Sequence, residues 1–207
     1  MADEEEKPEH ESYEDKKLKL QRYKEEIYKV WNIVGEKGFK AAGISPEHVN
    51  IIFSILNYET SLEQTIQDSG HKSIESKKTL DHTSWDEAFS IALKSCSHIL
   101  KLLVSTDPHE CKVDSPTIIK KLLAVIKSRS SCRVHNFTYI VKIVDTLTLL
   151  LADSTNILQA ILIGVNCYEY LISGFTAWTN NNKEQNQLYV SCTRAIATVT
   201  YGSPASK

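Results

Sequence analysis

The sequence predicts an all-α fold of about seven helices, on two observations. Apolar residues recur at three- and four-residue steps along most of the 207 residues, and Ser-Pro, Asp-Pro and Gly punctuate the segments where helices should start and stop. The packing expected of these helices is a bundle or a short armadillo- or HEAT-like solenoid.

Leu20, Tyr23, Ile27, Val30, Trp31 and Val34 fall on one face of a first helix beginning near Tyr13, which Gly35 and Gly38 end. Ser45 caps a second helix with Pro46 in its first turn, where the missing N–H costs nothing. Val49, Ile52, Phe53 and Leu56 form its inner face, and Gly70 closes it. The polar stretch His71 to His82 reads as the longest internal loop. After it, Ser84 and Glu87 have capping-box spacing ahead of the stripe Trp85, Phe89, Ala92, Cys96, Ile99 and Leu103.

Asp107-Pro108 stops this third helix and Ser115-Pro116 starts the fourth, carrying Ile119, Leu122, Leu123 and Ile126. A fifth runs from about His135 to Ala152, and a sixth from Ser154 or Asn156 to near Gly174. Both are apolar on most sides, as helices in the middle of a stack are. Leu188, Cys192, Ala195, Ile196 and Val199 mark a seventh after Asn180-Asn181-Asn182. The β-branched runs Tyr139 to Val144 and Ala195 to Tyr201 suit strands by propensity, but their spacing assigns them to helices. Ser45-Pro46 and Ser115-Pro116 also begin segments whose apolar residues align at a constant offset, an echo that a repeat would leave.

Residues 1–12 form an acidic tail expected to be disordered, residues 13–202 a single helical domain, and residues 203–207 a flexible C-terminus. Met1 to Asp15 hold eight acids (Asp3, Glu4, Glu5, Glu6, Glu9, Glu11, Glu14 and Asp15) against Lys7. Removing these from the chain's 26 acids and 24 bases leaves 18 and 23, so a net charge of −2 conceals a body of about +5. The acidic start does not fit a secretory or transit signal, and no apolar run reaches the ~20 residues of a membrane span. A cytoplasmic or nuclear location is the expectation. Five cysteines without a C-x-x-C pair suit free thiols in a reducing compartment.

Reaction chemistry has little to build on. G-x-S-x-G, H-E-x-x-H and phosphate-binding glycine loops do not occur. His109, Cys111, Cys132 and His135 are acceptable zinc ligands in kind. They flank the fourth helix, however, and about 14 residues at ~1.5 Å rise hold its ends roughly 20 Å apart. Asp145 and Glu169 interrupt apolar helices and are read as lying on a thin polar face, beside Lys142 and Arg194. No cofactor is expected.

These features point to a noncatalytic protein–protein interaction module, a helical scaffold or adaptor. The alternative is a carrier of apolar ligands or lipid whose basic segment meets anionic head groups. The densest positive stretch, Lys112 to Lys142, makes Lys120, Lys121, Lys127, Arg129 and Arg133 the candidate partner-binding residues. Trp178 joins them from the aromatic cluster of Tyr168, Tyr170 and Phe175. The charge is too low and the aromatics too sparse for a nucleic-acid reader.

Overall fold

A computed structural model of the chain describes residues 13–68, 75–130, 137–153, 161–176 and 183–201. These residues are helical almost throughout and contain no strand. They form α1 (Tyr13–Val34), α2 (Pro46–Asp68), α3 (Glu75–Val104), α4 (Ser115–Ser130), α5 (Phe137–Asp153), α6 (Cys167–Thr176) and α7 (Lys183–Tyr201). A helical turn at 161–164 precedes α6, and short 3-10 turns lie at Ala41–Gly43 and Pro108–Glu110. The tail, Gly70 and the C-terminal residues 202–207 lie outside the described residues.

Helix ends follow local chemistry. The Gly35 amide donates to the Trp31 carbonyl at 2.8 Å, and a Cβ on Gly35 would sit 2.8 Å from that same oxygen. Gly38 then turns the chain at φ +91°, where an L side chain is strained. At the start of α2, Ser45 and His48 cap each other: the Ser45 hydroxyl accepts from the His48 amide, and His48 Nδ1 accepts from the Ser45 amide, both at 3.3 Å. His48 thus fills the place of the usual Glu or Gln in a capping box.

Three expectations need correcting. Helix α3 begins at Glu75, so most of the segment read as a loop is helix and Ser84 lies inside it. Glu87 serves a different purpose, taking Lys24 at 2.8 Å and the Tyr28 hydroxyl across to α1. The stretch 75–82 lacks Gly and Pro, the two residues that most disfavour a helix interior. Second, α4 is capped by Asp114, not Ser115. The Thr117 amide donates to Asp114 Oδ1 at 2.7 Å and the Thr117 hydroxyl to Oδ2 at 2.8 Å, leaving Ser115 as the first helical residue. Third, the sixth helix is not continuous: Asn166 adopts φ 54°, and α6 starts afresh at Cys167. Asparagine enters this left-handed region more readily than other side chains, and its carbonyl accepts the Glu169 amide at 3.2 Å.

The β-branched runs are helical as expected. Thr146 and Thr148 on α5, and Thr193, Thr198 and Thr200 on α7, each return the hydroxyl to the carbonyl four residues back, at 2.7 to 2.9 Å.

The buried residues of all seven helices join in one contiguous cluster. Helix α3 is the hub, packing against α1, α2, α4 and α5, while α5 shares its longest face with α7. Extensive contacts among the described residues run between helices adjacent or next but one in this order, as both a bundle and a short helical stack allow. The echo between α2 and α4 survives in burial, since Val49, Ile52, Phe53 and Leu56 and their counterparts Ile119, Leu122, Leu123 and Ile126 are all buried. Its capping residues do not match, because Asp114 stands one position off the register of Ser45. Neither apolar segment is enclosed on every side: α5 leaves Leu149 exposed, and the sixth segment leaves Ile163 and Ile172 exposed.

Candidate functional site

Residues of α1, α3 and α5 line a groove of about 630 Å³. One wall is a single face of α3, because Ser90, Leu93, Lys94, Ser97, His98 and Lys101 recur at helical spacing. Trp31 enters from α1, with its ring edge-on to His98 at 6.3 Å and 79°. The opposite wall is α5, contributing Lys142, Asp145 and Thr146 above Leu149 and Leu150.

Buried Leu93 and Leu150 make the floor, while Leu149 is 67% exposed. A large apolar side chain so open, beside a half-buried Trp31, gives the groove an apolar strip that a partner can cover. Around it stand Lys94, Lys101 and Lys142 against one acid, Asp145. Lys142 is steadied by its own helix and α3: its Nζ lies 3.6 Å from Asp86 Oδ1 and 5.2 Å from the Tyr139 ring centre. The Tyr139 hydroxyl donates to the same Asp86 oxygen at 2.6 Å, and its ring packs on Phe89 at 4.6 Å.

The residues singled out from the sequence do not assemble into this site. Lys120 is exposed on α4. Lys121 turns toward α2, donating to Asn50 Oδ1 at 3.4 Å and lying 5.7 Å from the Phe53 ring centre. Lys127 turns toward α6, with its Nζ 3.0 Å from Glu169 and 5.6 Å from the Tyr170 ring centre. The Glu169 carboxylate holds the Lys127 ammonium above the usual lysine range. Both lysines therefore tie α4 to its neighbours. Arg129 falls on the last turn of α4 with its side chain outside the described set, and Arg133 and Trp178 lie outside the described residues. Tyr168 and Tyr170 pack against the core.

Sequence reasoning missed Trp31, Lys94, Lys101 and Leu149 as site residues. Lys94, His98 and Lys101 do recur on one polar face of α3, but that face looks like any solvated helix surface until α1 and α5 are set beside it.

The buried cysteines among the described residues are held as thiols. Burial pushes the Cys96 thiol up to about 12 and Cys167 to about 11. Cys192 is pushed up to about 12 by burial first and the nearby Asp145 charge second. These groups stay protonated at neutral pH, the form that reacts poorly. His109 and Cys111 sit at the turn around Pro108–Glu110, while Cys132 and His135 lie outside the described residues. Among the described residues no three His, Cys, Asp or Glu side chains converge to hold a metal ion, and no helix is long and apolar enough to cross a membrane. No protein-family model, curated protein or solved structure matches the chain.

Proposed function

We propose that this protein is a noncatalytic interaction module, a helical scaffold or adaptor, whose α1–α3–α5 groove receives an acidic amphipathic segment of a protein partner. The observation that carries this reading is exposed Leu149 beside Trp31, Leu93 and Leu150, framed by Lys94, Lys101 and Lys142. A helix laid in such a groove buries its apolar residues on the floor and presents carboxylates to the rim. The apolar contact supplies most of the affinity, and the lysines govern orientation and rate of encounter.

The test is quantitative capture of partners on the native chain, Leu149→Asp, Lys94→Glu/Lys101→Glu and a Lys120→Glu control. An identified partner retained by the native chain and the control, and reduced about tenfold (~1.4 kcal/mol) by either groove variant, supports the reading. Partners indifferent to both groove variants, or a substrate turned over by the purified chain, overturn it. Sedimentation with phosphatidylserine vesicles addresses the anionic-lipid alternative. Vesicle binding that depends on the groove lysines, with no protein ligand, would transfer the site to that class.

A further inference from the structure

We propose that the acidic N-terminus, centred on Asp3 to Glu6, is an internal ligand for the α1–α3–α5 groove and competes there with a partner segment. This rests on the groove being the binding site proposed above. Charge complementarity is the first support. The four consecutive acids Asp3, Glu4, Glu5 and Glu6 complement the three lysines lining the groove, whose lining holds one acid, Asp145, with Asp86 beside Lys142.

Reach is the second support, and it selects the far end of the tail. Lys24 and Tyr28 meet Glu87, and further along both helices Trp31 meets His98, so α1 and α3 run in the same direction. The tail therefore joins α1 at the end remote from the groove. From Tyr13 to Trp31 is 18 residues of helix, or about 27 Å at ~1.5 Å per residue. Extended chain covers that distance in roughly eight residues at ~3.4 Å each. Counting back eight from Tyr13 reaches Glu5, which places Asp3 to Glu6 at the level of Trp31, Lys94 and Lys101. Glu9 and Glu11, nearer α1, fall short of the level of Trp31; the groove lysine on their part of the path is Lys142, held by Asp86 next to Glu87.

The tail's composition suits a displaceable ligand. Around these acids stand few apolar residues, so attraction to the lysines does most of the binding and the groove floor stays without a matching partner surface. A segment on a short tether acts at an effective concentration near the millimolar range, enough to hold a weak contact until an amphipathic partner also covers Leu149.

Zero-length carbodiimide cross-linking of the full chain reads contact between carboxylates and lysines directly. In dilute, low-salt solution the monomer should contain links from Asp3, Glu4, Glu5 or Glu6 to Lys94, Lys101 or Lys142. Their yield should fall at least about fivefold at roughly 0.5 M salt, where screening shortens the Debye length to a few ångströms. Links confined to α1 or to Lys120, Lys121 and Lys127, links only between molecules, salt-independent links, or none would each overturn the proposal.

A second measurement uses a labelled amphipathic Leu/Glu helical peptide, with the native chain and Asp3→Asn/Glu4→Gln/Glu5→Gln/Glu6→Gln. Neutralising the tail should tighten peptide binding about three- to tenfold at low salt. Unchanged affinity, with binding still sensitive to Leu149→Asp, removes the internal ligand and leaves the groove reading standing. Binding that ignores Leu149→Asp defeats the groove reading, while the cross-links still decide where the tail lies.

Discussion

Cys96 sits wholly inside the core on α3, and its thiol is pushed up to about 12 from an ordinary 9.0 because burial disfavours the thiolate. The unfolded chain exposes that thiol and ionises it near 9. Below that pH both states are protonated and the contribution to stability is fully present. As pH rises further the unfolded state loses the proton first, so stability falls until the folded thiol also ionises near 12. The limiting slope is about 1.4 kcal/mol per pH unit, and three units accumulate to roughly 4 kcal/mol. Urea unfolding in the presence of a reductant, repeated at several pH values between 8 and 10.5 for the native chain and Cys96→Ala, isolates this effect. Cys167 and Cys192 also lose stability in this range, but they remain in both proteins and cancel in the difference. Above about pH 9.5 the native chain should lose about 1 kcal/mol more per pH unit than Cys96→Ala. Parallel curves would refute the burial argument, since a thiol already open to water has the same pKa in both states.

Other outcomes follow from individual contacts. Asp114→Ala should destabilise the fold by about 1 kcal/mol and Ser115→Ala by less than about half of that, measured by thermal or urea unfolding; the reverse order would restore Ser115 as the cap. Ser95 Oγ is buried with no hydrogen-bond partner among the described residues, so Ser95→Ala should leave stability within about 0.5 kcal/mol or raise it, and a loss above about 2 kcal/mol would reveal a partner. A double-mutant cycle on Lys127 and Glu169, whose side chains are 53% and 56% exposed, should give a coupling below about 1 kcal/mol that salt reduces further. A larger coupling would mean that the pair is more shielded from water than these exposures allow.

Much of the fold is legible along the chain because a helix writes its core contacts into spacing. Tyr13 to Val34 is read directly, and Ser45 with Pro46 marks the start of α2. Legibility fails where a residue's chemistry leaves its partner ambiguous. Asp114 and Ser115 are both good caps in adjacent positions, and only the Thr117 amide chooses between them. Glu87 has the spacing of a capping box, yet its carboxylate is taken by Lys24 and Tyr28 from another helix. Asn166 breaks the sixth helix with a backbone conformation that its sequence neighbours permit without dictating.

The sequence alone determined that the chain is helical, where most helices lie and which residues turn inward, because periodic burial is a property of each segment. It also determined the separation of negative charge at the N-terminus from positive charge in the body. Tertiary structure decided which positive charges gather at one place. Lys121 and Lys127 belong to one basic stretch in the chain, but packing directs them to different neighbours, Asn50 and Glu169. Lys94 and Lys101 on α3 and Lys142 on α5 line one groove only because the two helices pack together beside Trp31. A helix carries its own buried stripe in its spacing; the space between three helices belongs to none of them.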